Sequence, residues 1–131
     1  MIKEFNISTN KTQKLIDITQ KVKQTVEKST VNDGKCIVYC PHTTAAITIN
    51  ENADPDVKKD ILNQLNEIIP KNNNYKHKEG NSHAHIKSSI IGASETILIS
   101  DGKLSLGTWQ GIYFCEFDGP RKRKCLVKVN K

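Results

Sequence analysis

The stretch GIYFCEFDGPRKRKCLVKV, residues 111–129, decides the fold class because it places two strand patterns on either side of one turn. Residues 111–117 form an almost continuous apolar run, and residues 123–129 combine basic residues with four apolar ones in a second strand pattern. The DGPR segment between them, residues 118–121, contains the residues that favour tight turns. The pattern therefore predicts a β-hairpin that closes the chain.

The rest of the chain continues the strand-rich pattern and adds two helices. A helix is predicted from Thr19 to about Ser29, and a second one runs from an N-cap at Asp54 to Pro70, which ends it. Further strands are predicted at 2–8, 13–18, 36–40, 44–50, 84–92, 95–100 and 103–107. Because strands and helices do not alternate regularly, the prediction is an α+β fold: one domain, residues 1–131, with a mainly antiparallel sheet and two main helices.

Composition narrows the classes of partner. Lys and Arg number 20 against 14 Asp and Glu, and the net charge of +6 favours anionic partners such as phosphorylated metabolites. Three Phe, three Tyr and one Trp provide few surfaces for base stacking, which disfavours nucleic-acid binding. No apolar run reaches the roughly 20 residues of a membrane-spanning helix, and the first nine residues do not resemble a secretion signal. We therefore expect a cytoplasmic protein whose four cysteines are buried and reduced.

Three of the four histidines lie within the segment HKEGNSHAHIKSS, residues 77–89. If residues 84–92 form a strand, His83 and His85 point to the same side of it. His42 follows the strand predicted at 36–40. Three imidazoles around an open fourth position are typical of a catalytic zinc site. The spacing matches no established metal motif, so the local pattern also allows hydrogen-bonded or solvent-exposed histidines.

Three longer segments carry a resemblance to a known family. These segments are CPHTTAAITINENADPDVKKDIL (40–62), HKEGNSHAHIKSSIIG (77–92) and LGTWQGIYFCEFDGPRKRK (106–124). They resemble the YjbQ-like family, in which some members are described as having secondary thiamine-phosphate synthase activity. The resemblance extends from about Thr9 to Val129. It implies an α+β fold that assembles as a homotrimer with clefts between the subunits.

The resemblance also implies a set of metal ligands. It points to His42, His77 and His85 as ligands of a divalent cation, with His83 as the alternative for one position. Zinc is the first expectation for such a ligand set, and nickel is the other.

Other polar residues near these histidines are candidates for substrate chemistry. Glu51 and Asp118 are candidate general acids or bases. A planar guanidinium such as that of Arg121 can hold a phosphate through two parallel hydrogen bonds. Further donors are expected from Thr43, Thr44 and Asn81. For Asp118 and Glu51 the alternatives are a turn residue and a residue at the start of a helix.

Three functions follow as expectations. The first is a metal-binding enzyme that acts on phosphorylated small molecules. Its concrete form, implied by the resemblance, joins a pyrimidine methyl diphosphate to a thiazole phosphate and releases diphosphate. The second is a protein that binds a metal and an anionic metabolite without catalysis, and the third is a metal-assisted hydrolase.

Overall fold

Two antiparallel sheets and three helices make up the structure, a computed structural model that describes all residues from 1 to 131. In chain order the elements are β1 (Ile2–Ser8), β2 (Lys14–Asp17), α1 (Thr19–Ser29), β3 (Gly34–Tyr39), β4 (Ala45–Glu51), α2 (Pro55–Ile68), α3 (Ser82–Ile91), β5 (Ser94–Ser100), β6 (Lys103–Leu104), β7 (Gln110–Glu116) and β8 (Lys122–Asn130). The five-stranded sheet has the order β1-β8-β3-β5-β6, and the three-stranded sheet has the order β2-β7-β4. Every strand pair is antiparallel, which confirms the α+β prediction.

The main core lies between helix α1 and the two sheets. Strand β3 alternates, so that Cys36 and Val38 point inward and are fully buried. Helix α1 places Val22 and Val26, one turn apart, against this inner face. A second, smaller cluster joins helices α2 and α3 to the three-stranded sheet through Leu65, Ala84, Tyr113 and Phe117 in particular. Both clusters consist of the apolar positions that the strand and helix periodicity selects.

Helix α2 begins as predicted. The Asp54 side chain accepts a hydrogen bond of 2.9 Å from the backbone N–H of Asp56, and Pro55 is the first helical residue. None of the three helices combines the length and the apolar character that crossing a membrane requires.

The predicted hairpin at 118–121 is wrong, because β7 and β8 lie in different sheets. After β7 the chain passes through Phe117, which is fully buried and whose N–H donates to the Thr44 carbonyl at 3.2 Å. The chain then crosses to the five-stranded sheet, where β8 lies between β1 and β3. A turn motif between two strand patterns predicts a change of direction, but it does not specify which neighbours the two strands pair with. We refer to residues 117–121 as the sheet crossover.

The predicted strand at 84–92 is also wrong, because this segment is helix α3. The buried residues His83, Ala84, Lys87 and Ser88 recur at the spacing of one helical face. Since two of them are charged or titratable and the others are small, apolar periodicity could not detect this face. One consequence is that His83 and His85 point in different directions: His83 is buried, whereas His85 reaches a surface pocket.

All four cysteines are free and buried, as expected. Burial raises the pKa of the Cys36 and Cys40 thiols to about 11 and that of Cys125 to about 12. These thiols therefore stay protonated at neutral pH and behave as small apolar side chains.

Candidate functional site

A pocket of about 360 Å³ opens where three separate chain segments meet. The segments are the β3–β4 loop at 41–44, the start of helix α3 with the residues before it at 79–85, and the sheet crossover with the start of β8 at 118–123. The lining residues are Pro41, His42, Thr43, Thr44, Glu79, Asn81, His85, Asp118, Arg121 and Arg123. Apart from the proline, all of them carry polar or charged side chains, which suits a polar ligand.

A buried ion pair adjoins the pocket, which its arginine lines. The Arg123 side chain is 4% exposed and the Glu116 side chain is fully buried. Arg123 Nε donates to Glu116 Oε1 at 2.9 Å, and Arg123 Nη2 donates to Glu116 Oε2 and, at 2.8 Å, to Thr44 Oγ1. Glu116 also accepts a hydrogen bond of 2.7 Å from the Thr9 hydroxyl. This network fixes the guanidinium plane and connects both sheets at one point.

One nitrogen of that guanidinium remains free. The hydrogen bonds of Arg123 within the protein come from Nε and Nη2, and Nη1 makes none. Because Arg123 lines the pocket, Nη1 is the part of the side chain that a ligand can reach. A donor that the protein holds in place and leaves without a protein partner is a suitable site for a hydrogen-bond acceptor.

The second arginine lies at the rim of the pocket and is half exposed. Arg121 Nε donates to the Asp118 carbonyl at 2.8 Å, and Arg121 Nη2 donates to Asp118 Oδ2 at 3.0 Å. Asn81 Nδ2 donates to the same carboxylate oxygen at 2.8 Å. Two donors therefore share one oxygen of Asp118, and these hydrogen bonds orient Arg121 and Asn81.

His42 is neutral and lines the pocket, and one of its two ring nitrogens already takes part in a hydrogen bond within the protein. Its Nε2 accepts a hydrogen bond of 2.9 Å from the backbone N–H of Lys124, so its proton is on Nδ1. Burial lowers the pKa of His42, and the nearby Arg123 charge lowers it further. His42 therefore acts as a hydrogen-bond donor at neutral pH.

The start of helix α3 forms another wall of the pocket. No side chain caps this helix, and its first turn contains no acidic residue. An acidic side chain from elsewhere in the chain, Asp118, reaches this end of the helix through its hydrogen bond with Asn81, and the helix dipole favours anions there. His77 lies next to this wall, with its ring centre 5.5 Å from that of His85 and its Nε2 3.8 Å from Glu79 Oε1.

Behind the pocket, helix α3 carries a buried lysine. Lys87 is 1% exposed, and its Nζ donates to Asn66 Oδ1 at 2.5 Å and lies 3.3 Å from His83 Nδ1. Burial lowers the pKa of Lys87, and burial followed by the Lys87 charge lowers the pKa of His83. His83 is therefore part of a structural cluster, and it does not line the pocket.

The structure brings most of the predicted site residues together. Seven of them line the pocket, namely His42, Thr43, Thr44, Asn81, His85, Asp118 and Arg121. His77 lies beside the pocket, next to His85. Glu51 does not line this pocket. Strand β4 begins beside the pocket and ends at Glu51, and its six residue steps span about 20 Å. At that end Glu51 pairs with Gln110, and its carbonyl accepts a hydrogen bond from the Tyr113 hydroxyl.

Sequence reasoning missed Arg123 and Glu116. Arg123 precedes Cys125 and Val127 at a spacing of two, so the strand pattern already indicated that its side chain points inward. Glu116 interrupts the apolar run of residues 111–117, which is unusual for a buried strand unless a partner compensates the charge. Together these two signals could have identified the pair.

Comparisons with known proteins agree on one family. The model of the UPF0047 protein YjbQ-like family matches residues 3–131. A UPF0047 protein of Methanocaldococcus jannaschii is 58% identical over 129 residues, which cover 98% of this chain and 94% of the relative. The UPF0047 protein YugU of Bacillus subtilis is 52% identical over 130 residues, with 98% of each chain covered.

Solved structures give the same result. A YjbQ/UPF0047 family protein of Clostridium acetobutylicum superimposes with a TM-score of 0.96 at 59% identity, covering 98% of this chain and 99% of that one. A YbjQ-like protein of Sulfolobus solfataricus, described as being of unknown function, gives a TM-score of 0.95 at 36% identity, with coverage of 98% and 95%.

These findings correct the expected description of the protein as a zinc-dependent thiamine-phosphate synthase. The descriptions of these relatives name the family and state neither that transferase activity nor zinc. In the structure, no group of three or more His, Cys, Asp or Glu side chains is placed to hold a metal ion. His42 in particular directs its Nε2 lone pair at a backbone N–H. The residues as placed therefore do not fit a three-histidine zinc centre.

Proposed function

Because this chain belongs to the UPF0047 YjbQ-like family, whose model matches nearly its whole length, we propose that the pocket lined by Arg123 binds a phosphorylated small molecule and acts on it. The observation that carries the proposal is the free Nη1 of a guanidinium that is otherwise fixed by Glu116 and Thr44. A donor held in place before the ligand arrives loses little freedom on binding. Phosphate oxygens are the acceptors that arginine binds best.

The other donors that line the pocket support a phosphate there. Arg121 lies on the same side, His42 carries a proton on Nδ1, and the start of helix α3 has no acidic residue. Arginine, imidazole and a helix N-terminus each interact favourably with a multiply charged oxyanion.

The acceptors in the pocket indicate what the rest of the ligand carries. Asp118 and Glu79 line the same pocket, and the charge of Arg123 is already compensated by Glu116. A pocket with compensated charge suits a ligand that has donors as well as a phosphate. The best match is a phosphate ester that also carries hydroxyl or amino groups, since these groups donate to carboxylates.

Isothermal titration with inorganic phosphate tests the anion site. We expect Arg121→Gln to weaken phosphate binding about tenfold, because it removes one charge-assisted contact. Lys122→Gln, which removes a neighbouring exposed charge outside the pocket, should change the affinity less than about twofold. Equal losses in the two variants would contradict a defined site and indicate general charge attraction.

Turnover distinguishes catalysis from binding alone. If the pocket is catalytic, the full chain should release p-nitrophenolate from p-nitrophenyl phosphate, and His85→Ala should reduce the rate. Phosphate binding without release of product, with or without added divalent cations, would favour a metabolite-binding protein.

A divalent cation beside the phosphate is a separate proposal, supported by His77 and His85. Two imidazoles that share a cation at bond lengths of about 2.0–2.1 Å have ring centres roughly 5 Å apart, close to the 5.5 Å found here. Isothermal titration of the protein with Co²⁺, in place of phosphate, tests this proposal. His77→Gln should abolish Co²⁺ binding, whereas His83→Gln should leave it intact because His83 is buried elsewhere. No step of the proposed activity depends on this ion.

Assembly into a homotrimer is also proposed, and the outer face of the five-stranded sheet supports it. Four apolar side chains point away from the core on three adjacent strands: Ile37, Tyr39, Leu98 and Leu126. Of these, Leu98 is 67% exposed. No helix covers this face, and such an apolar surface is typical of an interface. Light scattering of the full chain should give the mass of three copies, and Leu98→Lys should lower it. A monomeric wild-type chain would contradict the assembly.

We also propose that the protein acts in the cytoplasm. All four cysteines are free, although several of them lie close together in one core. Proteins that keep such thiols unpaired are typical of reducing compartments.

A further inference from the structure

A second cavity, of about 520 Å³, lies between α1 and strands β1 and β8, apart from the pocket that Arg123 lines. We call it the α1–β1 groove. Its lining residues come from β1, from α1 and the segment after it, and from the end of β8; they are Met1, Ile2, Lys3, Phe5, Lys21, Gln24, Thr25, Lys28, Ser29, Val31, Val127 and Val129. None of them lines the pocket that contains Arg123.

The groove arises from how α1 packs on the sheet. Val22 and Val26 fix the helix over the centre of the core, together with inner-face residues of β3 and β8. Strand β1 is the edge of the five-stranded sheet, and its inner face extends beyond the helix. Phe5 and Val129 are therefore only partly buried and form an apolar floor. A floor of this kind binds apolar groups by removing their surface from water.

The rim of the groove is positively charged. Lys21 and Lys28 lie two turns apart on one face of α1, with Gln24 and Thr25 between them, and Lys3 lies across the groove on β1. No aspartate or glutamate is among the lining residues. Lys21 extends over the floor, with its Nζ 5.3 Å from the centre of the Phe5 ring.

We propose that the α1–β1 groove is a binding site for a small amphipathic anion, a molecule with one carboxylate or phosphate group and an apolar chain or ring. The apolar part lies on Phe5, Val127 and Val129, and the anionic head contacts Lys21 together with Lys28 or Lys3. The volume lies within the range of small-molecule sites, about 300–1,000 Å³. The groove combines an apolar floor with lysines at its rim and has no acidic side chain, so it is complementary to an amphipathic anion. It is not complementary to a cation or to a neutral polar molecule.

Decanoate is the probe that tests the site, and two-dimensional NMR of the full chain is the measurement. Addition of decanoate should shift the backbone signals of Phe5, Lys21 and Val127. Lys21→Gln should weaken decanoate binding about tenfold, because it removes the cation above the floor. Lys23→Gln removes an exposed lysine of the same helix that does not line the groove, and should change the affinity less than about twofold.

Two further probes separate the apolar and the anionic contributions. The neutral alcohol 1-decanol should bind at least about tenfold more weakly than decanoate, and acetate should cause no shifts in the groove. Thr25→Phe, which fills the groove from the exposed side of α1, should block decanoate while leaving phosphate binding unchanged. Any one of three results would overturn the proposal: no binding of decanoate, equal decanoate affinity in the two lysine variants, or signal shifts confined to the outer face of the five-stranded sheet.

Discussion

Replacing Arg123 by methionine is expected to lower the free energy of unfolding by about 3–5 kcal/mol, because the fully buried Glu116 loses its only cationic partner. Thr44 would lose the guanidinium donor to its hydroxyl oxygen, while its carbonyl oxygen would keep the hydrogen bond from the Phe117 N–H. Urea unfolding of the wild type and the variant gives this difference directly. Phosphate affinity should fall roughly 10- to 100-fold, because the free Nη1 is removed.

The double variant Arg123→Met, Glu116→Gln separates stability from binding. With both charges removed, no uncompensated carboxylate remains, and we expect the double variant to recover about half of the lost stability. Phosphate affinity should stay as low as in the single variant. If Arg123→Met lost less than about 1 kcal/mol, or if it bound phosphate like the wild type, the proposed role of this ion pair would be wrong.

Gly119→Ala is expected to destabilise the protein by about 2–3 kcal/mol, because the sheet crossover leaves no room for a side chain. A Cβ atom at this position would overlap the Lys11 carbonyl oxygen and come within 2.9 Å of the Thr9 hydroxyl and 3.0 Å of Glu116 Cγ. Thr9 and Glu116 both belong to the network that fixes Arg123. We therefore expect weaker phosphate binding as well, again measured by urea unfolding and titration.

Gly107→Ala is the matched control for this substitution. Its nearest neighbour would be the Gln110 Oε1 atom at 3.3 Å, which belongs to a flexible side chain, and neither glycine has a positive φ. The control should change stability by less than about 1 kcal/mol. If both alanine variants had the same stability, crowding at the crossover would not be the cause.

The fold was predictable wherever apolar residues mark the buried face. Val22 and Val26 identified α1, and Asp54 with Pro55 identified the start of α2. Helix α3 was missed because its buried face consists of His83, Ala84, Lys87 and Ser88. What stabilises this face is a set of polar contacts, such as the hydrogen bond of 2.6 Å from Ser88 Oγ to the Ala45 carbonyl. Such contacts depend on partners far along the chain, which local periodicity does not reveal.

Sequence reasoning predicted which residues line the candidate site better than it predicted what each of them does there. The resemblance and the residue types together selected His42, Asn81 and Arg121, and these do line one pocket. Roles depend on hydrogen bonds that only the tertiary structure defines. Asp118 holds Arg121 and Asn81, and the Nε2 of His42 is occupied by the N–H of Lys124. Glu51 lies outside the pocket because residues that are close in sequence become far apart in space along an extended strand.

The pocket lined by Arg123 draws on three stretches that are far apart in the chain, around residues 42, 82 and 121. During refolding, none of these stretches can form the cavity alone, since closing such long loops requires the two sheets to associate first. Phosphate added to a refolding chain should therefore bind only after the last cooperative step. The rate at which binding capacity returns then reports the joining of the two sheets, and it separates this event from the earlier formation of helices.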